Sequence, residues 1–285
     1  MKKYIELIRL DKPTGIFLLY WPCTWGLTVG NIYAENNDLF LKYLILFFIG
    51  SFLMRSAGCI YNDIIDKNID KKITRTKNRP IAKGSISTKQ GWFAILVLIL
   101  LSLTILLQLN LNSIIFGLAS GFFIILYPFM KRITYWPQLF LGITFNWGVI
   151  LGWLAMGNEL SLIPILLYFS AILWTLGYDT IYGMQDLKDD LKIGVKSTSI
   201  KFEKNFKTFL GINYFISFAL LIICLKLLNA DVLSYLLAIL SGIILIIQIF
   251  SHQKNNSDKN FKLFALNNYY GLSVFITLIV TATYG

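Results

Sequence analysis

A chain of 285 residues that is 56% hydrophobic and only 14% charged is too apolar for an ordinary soluble domain and too hydrophobic to be disordered. Its net charge of +11 does not mark a nucleic-acid binder, because the basic residues sit in short stretches between apolar runs. Cys23, Cys59 and Cys224 stand alone in or beside apolar segments, which excludes a disulfide framework or a CxxC metal site.

In chain order, a sliding hydropathy window predicts nine membrane helices, over 15–33, 41–61, 91–109, 112–130, 138–157, 161–182, 207–227, 231–250 and 266–284. The first follows Lys2, Lys3, Arg9 and Lys12 and has no small-residue cleavage site after it, so it is expected to stay as a helix. "LNLN" joins the third and fourth, implying a tight helical hairpin. The N-terminus, 62–89, 131–137, 183–206 and 251–265, with Lys207 at the next helix start, hold 23 of the 26 Lys and Arg, Lys254 among them. By the positive-inside rule that face and the N-terminus are cytoplasmic. The class is therefore an all-α polytopic membrane protein, a single domain over 1–285. A weak internal echo, an acidic cluster after helix two and another after helix six, points to two related four-helix halves plus a ninth helix.

The first cluster contains Asn62, Asp66 and Asp70, spaced i, i+4, i+8 and so on one helical face. Arg55 lies two turns earlier on that face, inside an apolar helix, where an arginine is a site candidate by default; the bland readings are a salt bridge to Asp66 or a snorkelling path to the interface. The second cluster contains Asp179, Tyr182, Asp186 and Asp190, again on one face. Asp63 and Asp189 point off these stripes. Stacked carboxylates repel and are costly to desolvate near a membrane, so divalent cations with oxygen ligands are expected, two ions gripping one anionic ligand. Arg75 and Arg79 follow the first cluster and Lys131 and Arg132 follow helix four; arginine forks suit phosphate oxygens. A divalent-cation transporter would also carry intramembrane acids, but near mid-membrane rather than at one interface beside a basic loop.

"NDIIDKNIDKKITRTKNRP" resembles the NDxxDxxxDxxxxRTxxRP signature of the UbiA superfamily of membrane-embedded aromatic prenyltransferases, and "DTIYGMQDLKDDLKIGVKSTSI" resembles its second aspartate motif. Within it, "RLDKPTGIFLLYWPCTWGL", "MRSAGCIYND", "YPFMKRITYWPQLFLGITFNWGVILGW" and the second motif look like the 4-hydroxybenzoate polyprenyltransferase branch. The resemblance spans about Arg9 to Ser199 and implies nine helices around a central cavity, with a cytoplasmic cap formed by the loops after helices two and six. It implies Mg²⁺ held through Asn62, Asp66, Asp186 and Asp190, with Asp70 and Asp179 supporting and Asp66, Asp186 and Asp190 catalytic. It further implies Arg75, Arg79 and Lys131 as partners of a polyprenyl diphosphate, beside Tyr182. Arg55 is expected to take the carboxylate of 4-hydroxybenzoate. The acceptor of the ring or phenol proton stays open among Asp186, Asp190, released diphosphate and water. Other acceptors, dihydroxynaphthoate, homogentisate, haem or a chlorophyll precursor, are the competing reading. Membrane lipid is the expected surrounding, in a bacterial inner membrane.

Overall fold

The computed structural model describes residues 2–253 and 256–284; Lys254, counted above among the loop cations, lies outside the described residues. Its helices are α1 (Lys2–Leu7), α2 (Thr14–Ala34), α3 (Asn37–Ile65), α4 (Lys67–Asp70), α5 (Thr88–Leu106), α6 (Leu111–Ile133), α7 (Pro137–Phe145), α8 (Trp147–Ala155), α9 (Leu162–Gly183), α10 (Leu187–Ile193), α11 (Thr198–Lys201), α12 (Phe206–Leu227), α13 (Val232–Ser251), α14 (Ser257–Ala265) and α15 (Asn267–Tyr284). No strand occurs among the described residues.

Side-chain caps set where the long helices begin. Asn36 accepts from the Leu39 N–H ahead of α3, and Asp231 accepts from the N–H groups of Leu233 and Ser234 ahead of α13. Ser87 and Gln90 form a reciprocal capping box at the start of α5. Asn110 caps α6 and also donates to the carbonyls of Leu154 and Ala155, which pins the α5–α6 turn to the end of α8. That turn is 107–110, two residues earlier than the sequence implied.

One expected helix is broken: the one over 138–157 divides at Asn146, whose side-chain amide donates to Gly142 O at 2.7 Å and to Thr175 Oγ1 at 2.8 Å. The last expected helix, 266–284, is α15, and the expected loop before it holds the additional helix α14, whose end is satisfied by the Asn267 amide donating to the carbonyls of Leu263 and Phe264.

Among the described residues, eight helical runs are long and apolar enough to cross a membrane, and the chain is an integral membrane protein. The ninth expected crossing coincides with α2, which is not among the eight. The reason is composition: Gly15, Pro22, Thr24, Gly26, Thr28 and Gly30 interrupt its apolar residues, and they are buried where α2 packs on α8, α15 and α3. Its crossing with α8 is so close that a Cβ on Gly26 would fall 1.9 Å from Val149 O, an approach that only glycine permits. By contrast α5, α6 and α13 expose Phe93, Leu96, Phe122, Ile125, Ile239 and Ile243, a belt suited to hydrocarbon.

Candidate active site

The two acidic motifs occupy equivalent places, each where a long helix ends and a short one starts. After α3 the chain turns through Asp66 into α4. Backbone bonds from Asp66 N–H to Asn62 O (2.9 Å) and from Asp70 N–H to Asp66 O (2.8 Å) carry the helical register across the break. After α9 the chain turns through Asp186 into α10, and Asp190 N–H donates to Asp186 O at 2.9 Å.

The first stripe does not act as one unit. Asp63 and Asp70, seven residues apart, turn together towards Arg79, whose Nη1 donates to Asp63 at 3.0 Å and to Asp70 at 2.9 Å. Arg9 closes the other side of Asp63 with bonds of 2.8 and 2.7 Å. Asp63 and Asp70 are 1% and 3% exposed, so this quartet is an internal tie between the N-terminal segment, α3 and the following loop. Burial works against the Arg79 charge, but Asp63 and Asp70 outweigh it and hold Arg79 above its ordinary value. Asp66 instead faces α6, pairing with Lys131 and, at 3.2 Å, with Arg132, whose guanidinium also donates to Ile65 O. Burial raises the Asp66 carboxyl, and the pull of Lys131 offsets this only in part. Asn62 makes no side-chain hydrogen bond among the described residues.

The second motif is joined to the first across the loop. Arg75 Nε donates to Asp186 Oδ1 at 2.8 Å, its Nη1 to the Tyr182 hydroxyl at 2.7 Å, and its guanidinium lies 4.9 Å from the Tyr182 ring. Burial disfavours the Arg75 charge, while Tyr182 and Asp186 more than offset it and raise the group. Thr74 N–H donates to Asp189 at 2.8 Å, a bond that lowers the Asp189 carboxyl. Tyr182 is braced from behind by Phe264 of α14, ring centroids 4.6 Å apart. Asp190 has no ion pair among the described residues; burial first and the nearby Asp186 second push it up to about 7. The junction is therefore short of positive charge at Asp190.

Arg55 lies on α3, two turns before Asn62. It does not form the salt bridge to Asp66 that the sequence left open, since Lys131 and Arg132 occupy that carboxylate. Its Nε has no hydrogen-bond partner, and it has no ion pair among the described residues. Its guanidinium stands 5.0 Å from the Phe145 ring, within electrostatic reach of Cys59, Tyr127, Tyr182 and Tyr178. Asp179, also without a hydrogen bond, is within electrostatic reach of Arg55 and Arg75. Arg55, Tyr127 and Asp179 are each half-buried, keeping part of their surface accessible. The structure thus brings Asp66, Asp186, Asp190, Arg75, Lys131 and Tyr182 to one junction, with Arg55 and Asp179 near it. Asp70 and Arg79 are engaged in the quartet. Arg9, Tyr127 and Phe145 were given no role from sequence, although Arg9 stands in "RLDKPTGIFLLYWPCTWGL" and Tyr127 and Phe145 stand in "YPFMKRITYWPQLFLGITFNWGVILGW".

The donor set can be tested for Mg²⁺. Among the described residues no three Asp, Glu, His or Cys side chains converge as a metal cage. The oxygens of Asn62, Asp66, Asp186 and Asp190 are hard donors, and Mg²⁺ commonly takes one or two carboxylates and completes its shell with phosphates and water. The residues present fit that kind of site.

Fold and site together define an integral-membrane helical protein with two acidic turns gathered by basic side chains near a half-buried arginine. The chain belongs to the UbiA prenyltransferase family, whose profile matches residues 19–278. It is 48% identical over 212 residues to a Caenorhabditis elegans mitochondrial 4-hydroxybenzoate polyprenyltransferase, covering 74% of this chain and 59% of that protein. The corresponding human protein is 49% identical over 212 residues, 74% of this chain and 57% of its own length. The chain therefore spans under two thirds of the length of these two relatives. The rat protein aligns over 287 residues at 41% identity, covering 100% of this chain and 76% of its own. In fold, a UbiA homologue from Aeropyrum pernix K1 superposes with a TM-score of 0.77 at 23% identity, covering 93% of this chain and 97% of its own. A UbiA homologue from Archaeoglobus fulgidus bound to GPP and Mg²⁺ gives a TM-score of 0.70 at 17% identity, covering 96% and 99%.

Proposed function

We propose that the chain transfers a polyprenyl group from polyprenyl diphosphate to the ring carbon ortho to the hydroxyl of 4-hydroxybenzoate, releasing diphosphate, in ubiquinone biosynthesis. One observation carries the choice of acceptor: Arg55 is a cation within an apolar helix, beside the Phe145 ring, with no hydrogen bond or ion pair to an anion among the described residues. An unpaired intramembrane guanidinium is costly, and an aromatic carboxylate offers it a bidentate partner. The mitochondrial relatives named as 4-hydroxybenzoate polyprenyltransferases support the same reading.

Mg²⁺ would be held by Asn62 and Asp66 in the first motif and Asp186 and Asp190 in the second, and when bound supplies Lewis-acid neutralisation of the departing diphosphate. Arg75 and Lys131 turn their N–H groups from Asp186 and Asp66 to the diphosphate oxygens, which frees those carboxylates as oxygen ligands. Tyr182 orients Arg75. Asp179 supports the lower edge of the site, and Asp70 and Arg79 hold the first motif in place. The C1–O bond breaks with its electron pair on the diphosphate. The allylic cation that remains meets aromatic faces, those of the half-buried Tyr127 and Phe145 standing near Arg55. The ring carbon ortho to the phenol forms the new C–C bond, and loss of the ring proton restores aromaticity. A cavity closed to water protects the cation from hydrolysis.

We put the basic, motif-bearing end on the cytoplasmic side of a bacterial inner membrane: the distribution of loop charge supports the orientation, and the Lys-, Ile- and Asn-rich composition the bacterial setting, whereas the curated relatives are mitochondrial proteins of eukaryotes.

The test is prenyl transfer by membranes containing the protein, supplied with Mg²⁺, a prenyl diphosphate and labelled 4-hydroxybenzoate, dihydroxynaphthoate or homogentisate. Product from 4-hydroxybenzoate alone is expected. Product from another acceptor, with none from 4-hydroxybenzoate, would overturn the assignment.

A further inference from the structure

We infer that Gly15, the second residue of α2, is a positioning residue that sets the place of the Arg55 guanidinium and through it the selectivity for an aromatic acid. The inference rests on the reading of Arg55 as the carboxylate site and adds the element that holds it there. Gly15 is buried against α3 at the very start of α2. A Cβ on it would stand 2.7 Å from Arg55 Nε, 2.8 Å from Nη2 and 3.1 Å from Cζ. All three nearest atoms belong to the guanidinium group; none is backbone. The surface of α2 at Gly15 therefore bounds the guanidinium directly, and the Phe145 ring at 5.0 Å bounds it from α7.

No protein anion anchors this guanidinium, so packing decides where it points. A side chain fixed by hydrogen bonds would resist a small push. One bounded only by a glycine backbone and an aromatic face will be displaced by a single methyl group. Because the atoms in the way are the far end of a flexible side chain, an alanine here moves the guanidinium and leaves the helices in place. Alanine is also the better helix former, so glycine at this position is retained against local propensity. A bidentate pair tolerates little displacement, and a misplacement on the order of 1 Å can cost about a hundredfold in rate.

The ligand class follows from the geometry. A planar para-hydroxy aromatic acid seats its carboxylate on Arg55 and directs its phenol end away from it, so a shift of Arg55 changes how far the reacting carbon lies from the prenyl C1. A neutral acceptor lacking the carboxylate makes no such contact and is indifferent to the shift.

The experiment measures kcat and KM for 4-hydroxybenzoate and for its methyl ester in the wild type, Gly15→Ala, Arg55→Ala and the double variant, with thermal unfolding in detergent alongside. Gly15→Ala is expected to raise KM for the acid by about tenfold or more. It should leave KM for the prenyl diphosphate and kcat/KM for the ester within about twofold. In the Arg55→Ala background the same substitution should have no further effect on the acid, the mark of two residues acting as one unit. Equal losses with acid and ester, full additivity in the double variant, or an unchanged acid KM would each overturn the inference. A Gly15→Ala protein that did not fold would overturn it too, because the helix rather than the guanidinium would have given way. If Arg55→Ala itself left the acid KM unchanged, the underlying reading of Arg55 would fall. If Arg55→Ala raised it and Gly15→Ala did not, only the role of Gly15 would fall.

Discussion

Arg75 reaches across 111 residues of sequence to bond Asp186, with Nε at 2.8 Å from Oδ1. The loop after the first acidic motif is thereby clamped to Asp186 of the second. Arg75 links the two halves of the site directly, beside the Thr74 N–H bond to Asp189, and the same guanidinium is available to a diphosphate. Arg75→Ala should raise KM for the prenyl diphosphate by about tenfold or more, in line with the loss of a charge-assisted bidentate contact. KM for the aromatic acid should change far less, which steady-state kinetics with each substrate varied in turn would show.

Asp66 and Asp186 each carry one half of the proposed metal-bearing site. Asp66→Ala and Asp186→Ala should each reduce turnover by about a thousandfold or more, the scale on which removal of a transition-state charge stabiliser acts. Both variants should still insert in the membrane and elute as monodisperse protein in detergent. Near-normal activity in either would contradict the role given to that motif.

The Arg9–Asp63–Arg79–Asp70 quartet makes a different demand, on stability. Arg79 serves two buried carboxylates and Arg9 serves one. Arg79→Ala leaves both carboxylates short of a partner, whereas Arg9→Ala leaves Asp63 with Arg79. Losing a hydrogen bond to a buried charge costs about 1.5–3 kcal/mol, so Arg9→Ala should lower stability by about that amount and Arg79→Ala by more. Unfolding midpoints in detergent would give the order, and the reverse order would contradict the network.

Metal removal tests the donor set apart from any mutation. EDTA should abolish prenyl transfer and added Mg²⁺ should restore it, with the acceptor and prenyl diphosphate held constant. Full activity in excess chelator would show that the oxygens of Asn62, Asp66, Asp186 and Asp190 serve another purpose.

Much of this was legible in the chain itself. Apolar runs located the long helices, and the spacing of Asn62, Asp66 and Asp70, and of Asp179, Tyr182, Asp186 and Asp190, marked both halves of the site. Spacing alone did not show that Asp63 and Asp70 are spent on Arg9 and Arg79, because one helix face looks the same whether its partner is a metal or an arginine 16 residues on from Asp63. The break at Asn146 was hidden for a similar reason. It is stabilised by an asparagine whose partners are a backbone carbonyl and a threonine 29 residues away. Phe145 and Tyr127 gave no signal among so many aromatic residues. Their relevance comes only from standing around Arg55.

Arg55 provides the most direct test of the central claim. In the Arg55→Ala protein, KM should be measured for 4-hydroxybenzoate at saturating prenyl diphosphate and for prenyl diphosphate at saturating 4-hydroxybenzoate. A rise of about a hundredfold for the acid, on the scale of a lost charge-assisted pair, with little change for the diphosphate, is the predicted result. Equal rises for both substrates, or no rise for the acid, would contradict the assignment of Arg55 as the seat of the acceptor's carboxylate.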